Sequence, residues 1–142
     1  MSIGVLLKGD FAKLSKMQQR LAGKNLAAIR REILDEMAIK AQQQIDRGFD
    51  GQRDPHRNKW KKRKRQYAHP ILQRTMALRK GTTAKAQRRG VSFSYKSPYG
   101  RYHMSGTRHM PSRKFMPTKT IPKRWRGAYA RIVRDVLRKR LG

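Results

Sequence analysis

Residues 25–48 read NLAAIRREILDEMAIKAQQQIDRG, and the spacing of their apolar side chains decides the fold class. Leu26, Ile29, Ile33, Met37, Ala41 and Ile45 recur at steps of three or four, the period that lines up one face of an α-helix. Asn25 is placed to cap the free N–H groups of the first turn, and Gly48 to stop the helix. Glu36 and Lys40 stand four apart, in the order that favours an ion pair along the exposed face. A helix with one apolar stripe must bury it against another element.

Upstream, DFAKLSKMQQRLAG (10–23) places Phe11, Leu14, Met17 and Leu21 at similar steps, with Asp10 as cap and Gly23 as break. This predicts a helical hairpin or kinked pair over 1–49. Downstream, IPKRWRGAYARIVRDVLRKRLG (121–142) puts Trp125, Tyr129, Ile132, Val133, Val136 and Leu137 on one stripe, an amphipathic helix over 122–142. Between them, Asp50-Gly51 and Asp54-Pro55 mark turns in a basic loop. Leu72 and Met76 open a short element that gives way to a small-residue, basic loop up to residue 90. Val91, Phe93 and Tyr95 alternate with Ser, a half-buried strand. The turn SPYG follows, and RYHM (101–104) reads as the return strand, ahead of a Pro-rich corner ending at 117. The chain is thus expected to form a single domain over 1–142, with the basic loop and short element over 50–90 and the strand pair and corner over 91–117. The fold class is α+β: N-terminal helices and a C-terminal helix on a small antiparallel sheet, with long basic loops.

With 142 residues the chain is long enough for one core and short for two. Apolar residues make up 37%, while 37 Lys and Arg face only 8 Asp and Glu, a formal net charge of +29. Such a surface repels itself and points to an anionic partner: DNA, RNA, an acidic protein or an anionic membrane. Seven acids (Asp10, Glu32, Asp35, Glu36, Asp46, Asp50, Asp54) precede residue 55, and Asp135 is the eighth. Residues 55–134 carry no acid and 24 Lys and Arg. The absence of Cys excludes disulfides and thiolate metal sites. The apolar run in MSIGVLLKGDF is too short for a signal peptide or a span, so synthesis and retention in a cytoplasm are expected. The basic residues are not confined to one helix, which argues against a membrane-surface role.

The chemistry of catalysis is sparse. His56, His69, His103 and His109 are spaced 13, 34 and 6 apart, without the three- or four-residue step of a helical zinc site. No carboxylate lies between residues 55 and 134 to serve as a further ligand or to orient His69, His103 or His109. Asp46, Asp50 and Asp54 are four apart, but a helix break at Gly48–Gly51 is expected to leave them as helix-end and turn carboxylates, not a Mg²⁺ site. GVLLKGD lacks the Gly-rich cradle and the terminal Gly-Lys-Ser/Thr of a P-loop. No catalytic residue, metal or cofactor is therefore expected. Nucleic-acid contact has better support: Lys59, Lys61, Lys62, Arg63, Lys64 and Arg65 surround Trp60 and precede Tyr67, a mixture suited to phosphate contact with stacking, and Arg88 and Arg89 add a second basic pair. A solvated charged loop is the bland alternative. No zinc finger, RNP strand or GXXG clamp appears, so base-specific recognition has no support.

The stretch YGRYHMSGTRHMPSRKFMP (99–117) sharpens the assignment. In order, the chain carries Pro55 and Trp60; Leu72, Thr75 and Leu78; Tyr99, His103 and Gly106; then Pro111, Arg113 and Phe115. This order and spacing resembles the tailed-phage virion-morphogenesis or tail-completion family, whose pattern runs Gly-x-Pro-x-Gly-x-x-Trp, Leu-x-x-Thr-Gly-x-Leu, Tyr-x-x-x-His-x-x-Gly and Pro-x-Arg-x-Phe. Arg57 stands where that pattern has Gly, and Met76 replaces the Gly after Thr75. The polycationic loops are also this chain's own feature.

The resemblance implies a non-enzymatic virion protein of the neck or tail that completes or joins head and tail. It also implies a ring of copies, often six, around the DNA channel, with neighbouring neck or tail proteins and packaged duplex DNA as partners. Tyr99, His103, Gly106, Pro111, Arg113 and Phe115 then become a structural corner that sets one subunit against another. Duplex DNA carries one charge per about 1.7 Å, so a ring roughly 35 Å deep surrounds only about 20 phosphates, while six copies bring on the order of 170 positive charges. Most basic side chains must therefore face something else, and acidic surfaces of neighbouring proteins are expected. The alternative from another class is a nonspecific nucleic-acid-binding basic protein, nucleoid- or ribosome-associated. An RNase built on His103 or His109 lacks the carboxylate such chemistry uses.

Overall fold

A computed structural model describes residues 25–141 together with Lys16, Gln19, Arg20, Ala22 and Gly23. The helix expected from Phe11, Leu14, Met17 and Leu21 lies outside the described residues. The described elements run α1 (Leu26–Gly51), α2 (Ala77–Gly81), β1 (Thr82–Gln87), β2 (Gly90–Tyr95), α3 (Gly100–Ser105) and α4 (Lys123–Leu141). They form an α+β fold with one two-stranded antiparallel sheet.

Helix α1 is the spine. Asn25 Oδ1 accepts from Ala28 N at 3.1 Å, the capping contact its position predicts. Met37, Ala41, Ile45 and Phe49, each four residues from the next, are all buried. Phe49 adds a rung to this stripe, so the helix does not stop at Gly48 but runs on to Gly51. It ends at Gln52, whose left-handed backbone (φ 50, ψ 50) closes the last turn, with Arg53 N donating to Gly48 O at 2.9 Å. Leu26, expected in the stripe, is 53% exposed. Glu36 and Lys40 form no ion pair among the described residues; Glu32 instead meets Lys139 and Arg140 of α4.

The hairpin corrects the expected strand pair. Strand β2 is where the Ser alternation put it, but its partner is β1, upstream, in the stretch expected to be a loop. The register pairs Thr82 with Tyr95, Ala84 with Phe93 and Ala86 with Val91 on the inner face. Each large β2 side chain thus faces a small β1 residue, which leaves β1 no apolar signal of its own. Gln42 of α1 docks its edge: Oε1 accepts from Ala84 N at 2.9 Å and Nε2 donates to Thr82 O at 3.2 Å. RYHM is not a strand but most of α3. Gly100 opens that helix directly against the Tyr95 ring, where a Cβ would overlap it, and Met104 is buried.

Helix α4 packs on α1, burying Trp125, Tyr129 and Val136. The Tyr129 hydroxyl donates to Gln44 Oε1 at 2.9 Å, and burial pushes its pKa far above the ordinary tyrosine value. The centre of the core is aromatic: Phe49 meets Trp60 edge-on, with ring centroids 5.6 Å apart, and Phe115 at 5.8 Å. Phe115 in turn meets Tyr95 edge-on. Burying each such side chain contributes about 1.5–3 kcal/mol.

Candidate functional site

Two distant stretches, 60–62 and 103–115, lock together into one corner. Trp60 Nε1 donates to Lys114 O at 2.7 Å. Arg113 Nε donates to Lys61 O at 2.9 Å, and its Nη2 reaches Lys62 O at 3.4 Å. Arg113 N donates to His103 O at 2.7 Å, and Ser112 Oγ to Met104 O at 2.7 Å, tying the corner to α3. The turn between them needs Gly106: its φ is 75 and ψ 169, and a Cβ there would lie 2.8 Å from Ser112 N. Pro111 is half-buried beside it, while Phe115, 2% exposed, anchors the far end in the core.

These contacts decide what the expected site residues do. Trp60 is 6% exposed and is a core residue, which corrects its expected role as a stacking face for nucleic acid. The basic residues around it made it look superficial, but its indole N–H has a carbonyl partner inside the fold. Arg113 is 7% exposed and turns its guanidinium to carbonyls of its own chain. Arg63 also bends inward, donating to His69 O at 2.7 Å and to His69 Nδ1 at 3.1 Å, with its guanidinium over the Tyr67 ring. Lys59, Lys61, Lys62, Lys64 and Arg65 remain exposed, as do Arg88 and Arg89 at the hairpin tip. Arg88 lines a separate groove with Leu26, Arg30 and Arg31 of α1.

His103 Nδ1 is buried and has no hydrogen-bond partner among the described residues. Burial, and then the Arg113 charge, lower its pKa below the ordinary 6.5, so the ring is neutral at pH 7. Among the described residues no three His, Asp or Glu side chains converge as metal ligands, and no helix is long and apolar enough to cross a membrane.

His103 and Arg113 also form one wall of a groove of about 1240 Å³. Ile71 and Leu78 are buried at its base; Leu72 and Pro98 continue the apolar surface. Tyr67 (56% exposed) and Tyr99 (68% exposed) stand along it with Arg74 and Lys96. Its lining holds no carboxylate. Sequence reading singled out Tyr99, His103 and Arg113 but missed Arg74, Lys96 and Pro98. Nothing local marks these three; only the fold brings residues 63–81 against 96–113.

Two backbone details bear on the motif departures. Arg57 has φ 72 and Met76 φ 60. Both non-Gly residues thus hold the left-handed conformation that glycine adopts without strain. Both turns are built here with a side chain where the resembled pattern has Gly.

No curated protein and no solved structure matches the chain significantly. The phage virion morphogenesis family model, however, matches residues 10–139, which takes in α1, the hairpin, the locked corner and nearly all of α4. The chain belongs to the phage virion morphogenesis family.

Proposed function

We propose that this virion-assembly protein completes or joins the head and tail of a tailed-phage particle. In this reading it works as a ring around the DNA channel, without catalysis, and resides in the neck or tail region. The observation that carries the reading is the family match over residues 10–139. The corner adds support: its motif residues are spent on turns, core anchors and carbonyl ties. The exposed basic residues of the 59–65 segment then meet acidic surfaces of neighbouring neck or tail proteins, with DNA backbone contact as a minority role.

The test neutralises Lys61, Lys62, Lys64 and Arg65 to Gln while keeping Arg63 and Trp60, which the fold uses. Heads and tails accumulated without the protein are supplied with wild type or variant, and joining is scored separately from DNA retention. Joining should fall several-fold with the fold intact by circular dichroism. Loss of DNA retention alone, with joining untouched, overturns the acidic-neighbour reading. The net charge of +29 keeps a nonspecific nucleic-acid binder as the second reading. A steep fall of duplex affinity with salt in the free monomer, with no effect on joining, favours it.

A further inference from the structure

On a subunit this basic, the placement of its few acids restricts how two copies can meet. Among the described residues, Glu32, Asp46 and Asp50 lie in ion pairs within the subunit. Asp35, Glu36, Asp54 and Asp135 form none; Asp35 and Glu36 are exposed on the middle of α1, where Asp35 borders the groove lined by Arg30, Arg31 and Arg88. One helical turn further on stands Ile39, 61% exposed, the most exposed large aliphatic side chain among the described residues. An apolar side chain beside two unpaired carboxylates is an unusual patch for this molecule. Its complement is the groove between residues 63–81 and 96–113: an apolar base, two exposed tyrosines, Arg74 and Lys96, and no acid. Tyr and Arg are also the side chains enriched where interface energy concentrates.

We infer that a second copy of this chain occupies the groove, docking the Asp35–Glu36–Ile39 patch of its α1 against Tyr99, Arg74 and Lys96. The inference rests on the assembly reading above and names the faces that meet. Like charges elsewhere on two such copies repel, so setting the two unpaired carboxylates against Arg74 and Lys96 is a contact with favourable local electrostatics. The two patches differ, so the contact is heterologous; it leaves a free patch at each end and propagates into a ring or an open helix. Duplex DNA is the competing occupant, but phosphate contact gains nothing from an apolar base of Ile71, Leu72 and Leu78.

The natural chain has no Cys, which makes cross-linking clean. The full-length Ile39→Cys/Tyr99→Cys variant, oxidised mildly at increasing concentration, should give a ladder of dimers, trimers and larger species. Each single-Cys variant should stop at a trace of dimer. Adding Arg74→Glu/Lys96→Glu should reduce the ladder at least tenfold, and adding Asp35→Lys/Glu36→Lys to the same chain should restore it. None of those four side chains forms an ion pair among the described residues, so the fold is expected to survive. No ladder, a ladder in a Lys85→Cys/Tyr99→Cys control, or strong dimer from Ile39→Cys alone overturns the pairing. So does protection of a Tyr99→Cys thiol by duplex DNA but not by added wild-type chain. If the pairing fails while the chain still joins heads to tails, only the contact is wrong. If joining fails to need this protein at all, the assembly reading falls with it.

Discussion

Replacing Arg113 with Met tests whether the corner is held by the geometry of one guanidinium. The thioether chain keeps most of the buried volume, so the loss is confined to the polar contacts. The Nε bond to Lys61 O is short, at 2.9 Å, while the Nη2 contact to Lys62 O is long, at 3.4 Å. A charge-assisted bond contributes about 1.5–3 kcal/mol, and the long one adds little. Two effects reduce the net cost. Both freed carbonyls belong to exposed residues, so water can reach them. The substitution also removes a cation that is 7% exposed in a strongly basic chain and lies near Arg63. The net loss should be about 1–2 kcal/mol, read from urea unfolding at fixed ionic strength; at about 2–4 °C per kcal/mol, the melting point falls by a few degrees. Amide exchange over residues 60–64 should accelerate more than exchange in α1. Arg113→Lys separates charge from shape, since an ammonium cannot present the Nε–H direction; it should lose nearly as much as Met. A Lys variant as stable as wild type, or a Met variant with unchanged exchange at 60–64, refutes the argument.

Backbone strain and buried chemistry give three further predictions. Gly106→Ala should cost about 1–3 kcal/mol, because φ 75 disfavours a side chain and its Cβ would press on Ser112 N. Arg57→Gly and Met76→Gly should do the reverse, each adding up to about 1 kcal/mol in urea unfolding, as release of left-handed strain exceeds the entropy glycine adds to the unfolded chain. His103 predicts a pH effect: its folded pKa lies below the unfolded value near 6.5, so the unfolded chain takes up the proton first. Its contribution is complete above that value and is lost as pH falls from about 6.5 toward the folded pKa. His103→Gln should flatten the stability difference between pH 7 and 5.5, and an unchanged slope refutes the assignment.

The parts of the fold legible in the sequence are those whose burial pattern is carried by large residues in one segment. The stripe from Met37 to Ile45 and that from Trp125 to Val136 each announce a helix, and the structure buries them. Strand β1 was hidden because its inner positions are Thr82, Ala84 and Ala86, which pair with the large residues of β2. Its hairpin turn is Arg88-Arg89, without the Asn-Gly or Gly that marks such turns. RYHM alternates like a strand, yet Gly100 lets the chain coil directly against Tyr95, a tertiary contact invisible to periodicity. Trp60 was misread for a related reason: local composition is that of a surface, while its partner, the Lys114 carbonyl, lies 54 residues away. The corner's residue types were legible because turns and anchors demand Gly, Pro and Phe. The groove beside it was not, since it exists only where two segments meet.

The way the fold is held also bears on its charge. Elements dock mainly through apolar contact and neutral amides: Gln42 on β1, Gln44 on Tyr129, Gln52 Oε1 accepting from Ile71 N, and buried Gln73 donating to Phe49 O at 2.9 Å. The ion pairs that do form, from Glu32 to α4 and from Asp46 and Asp50 to Arg79, each have an exposed partner. Exposed pairs contribute about 0–1 kcal/mol each and weaken with salt. They cannot offset the mutual repulsion of 37 Lys and Arg. A chain selected only to fold would gain by losing some of that charge. Since the core does not use the surplus, the assembly proposed above assigns it to contacts outside the subunit, where an acidic surface would remove the repulsion and stabilise the assembled state over the free one.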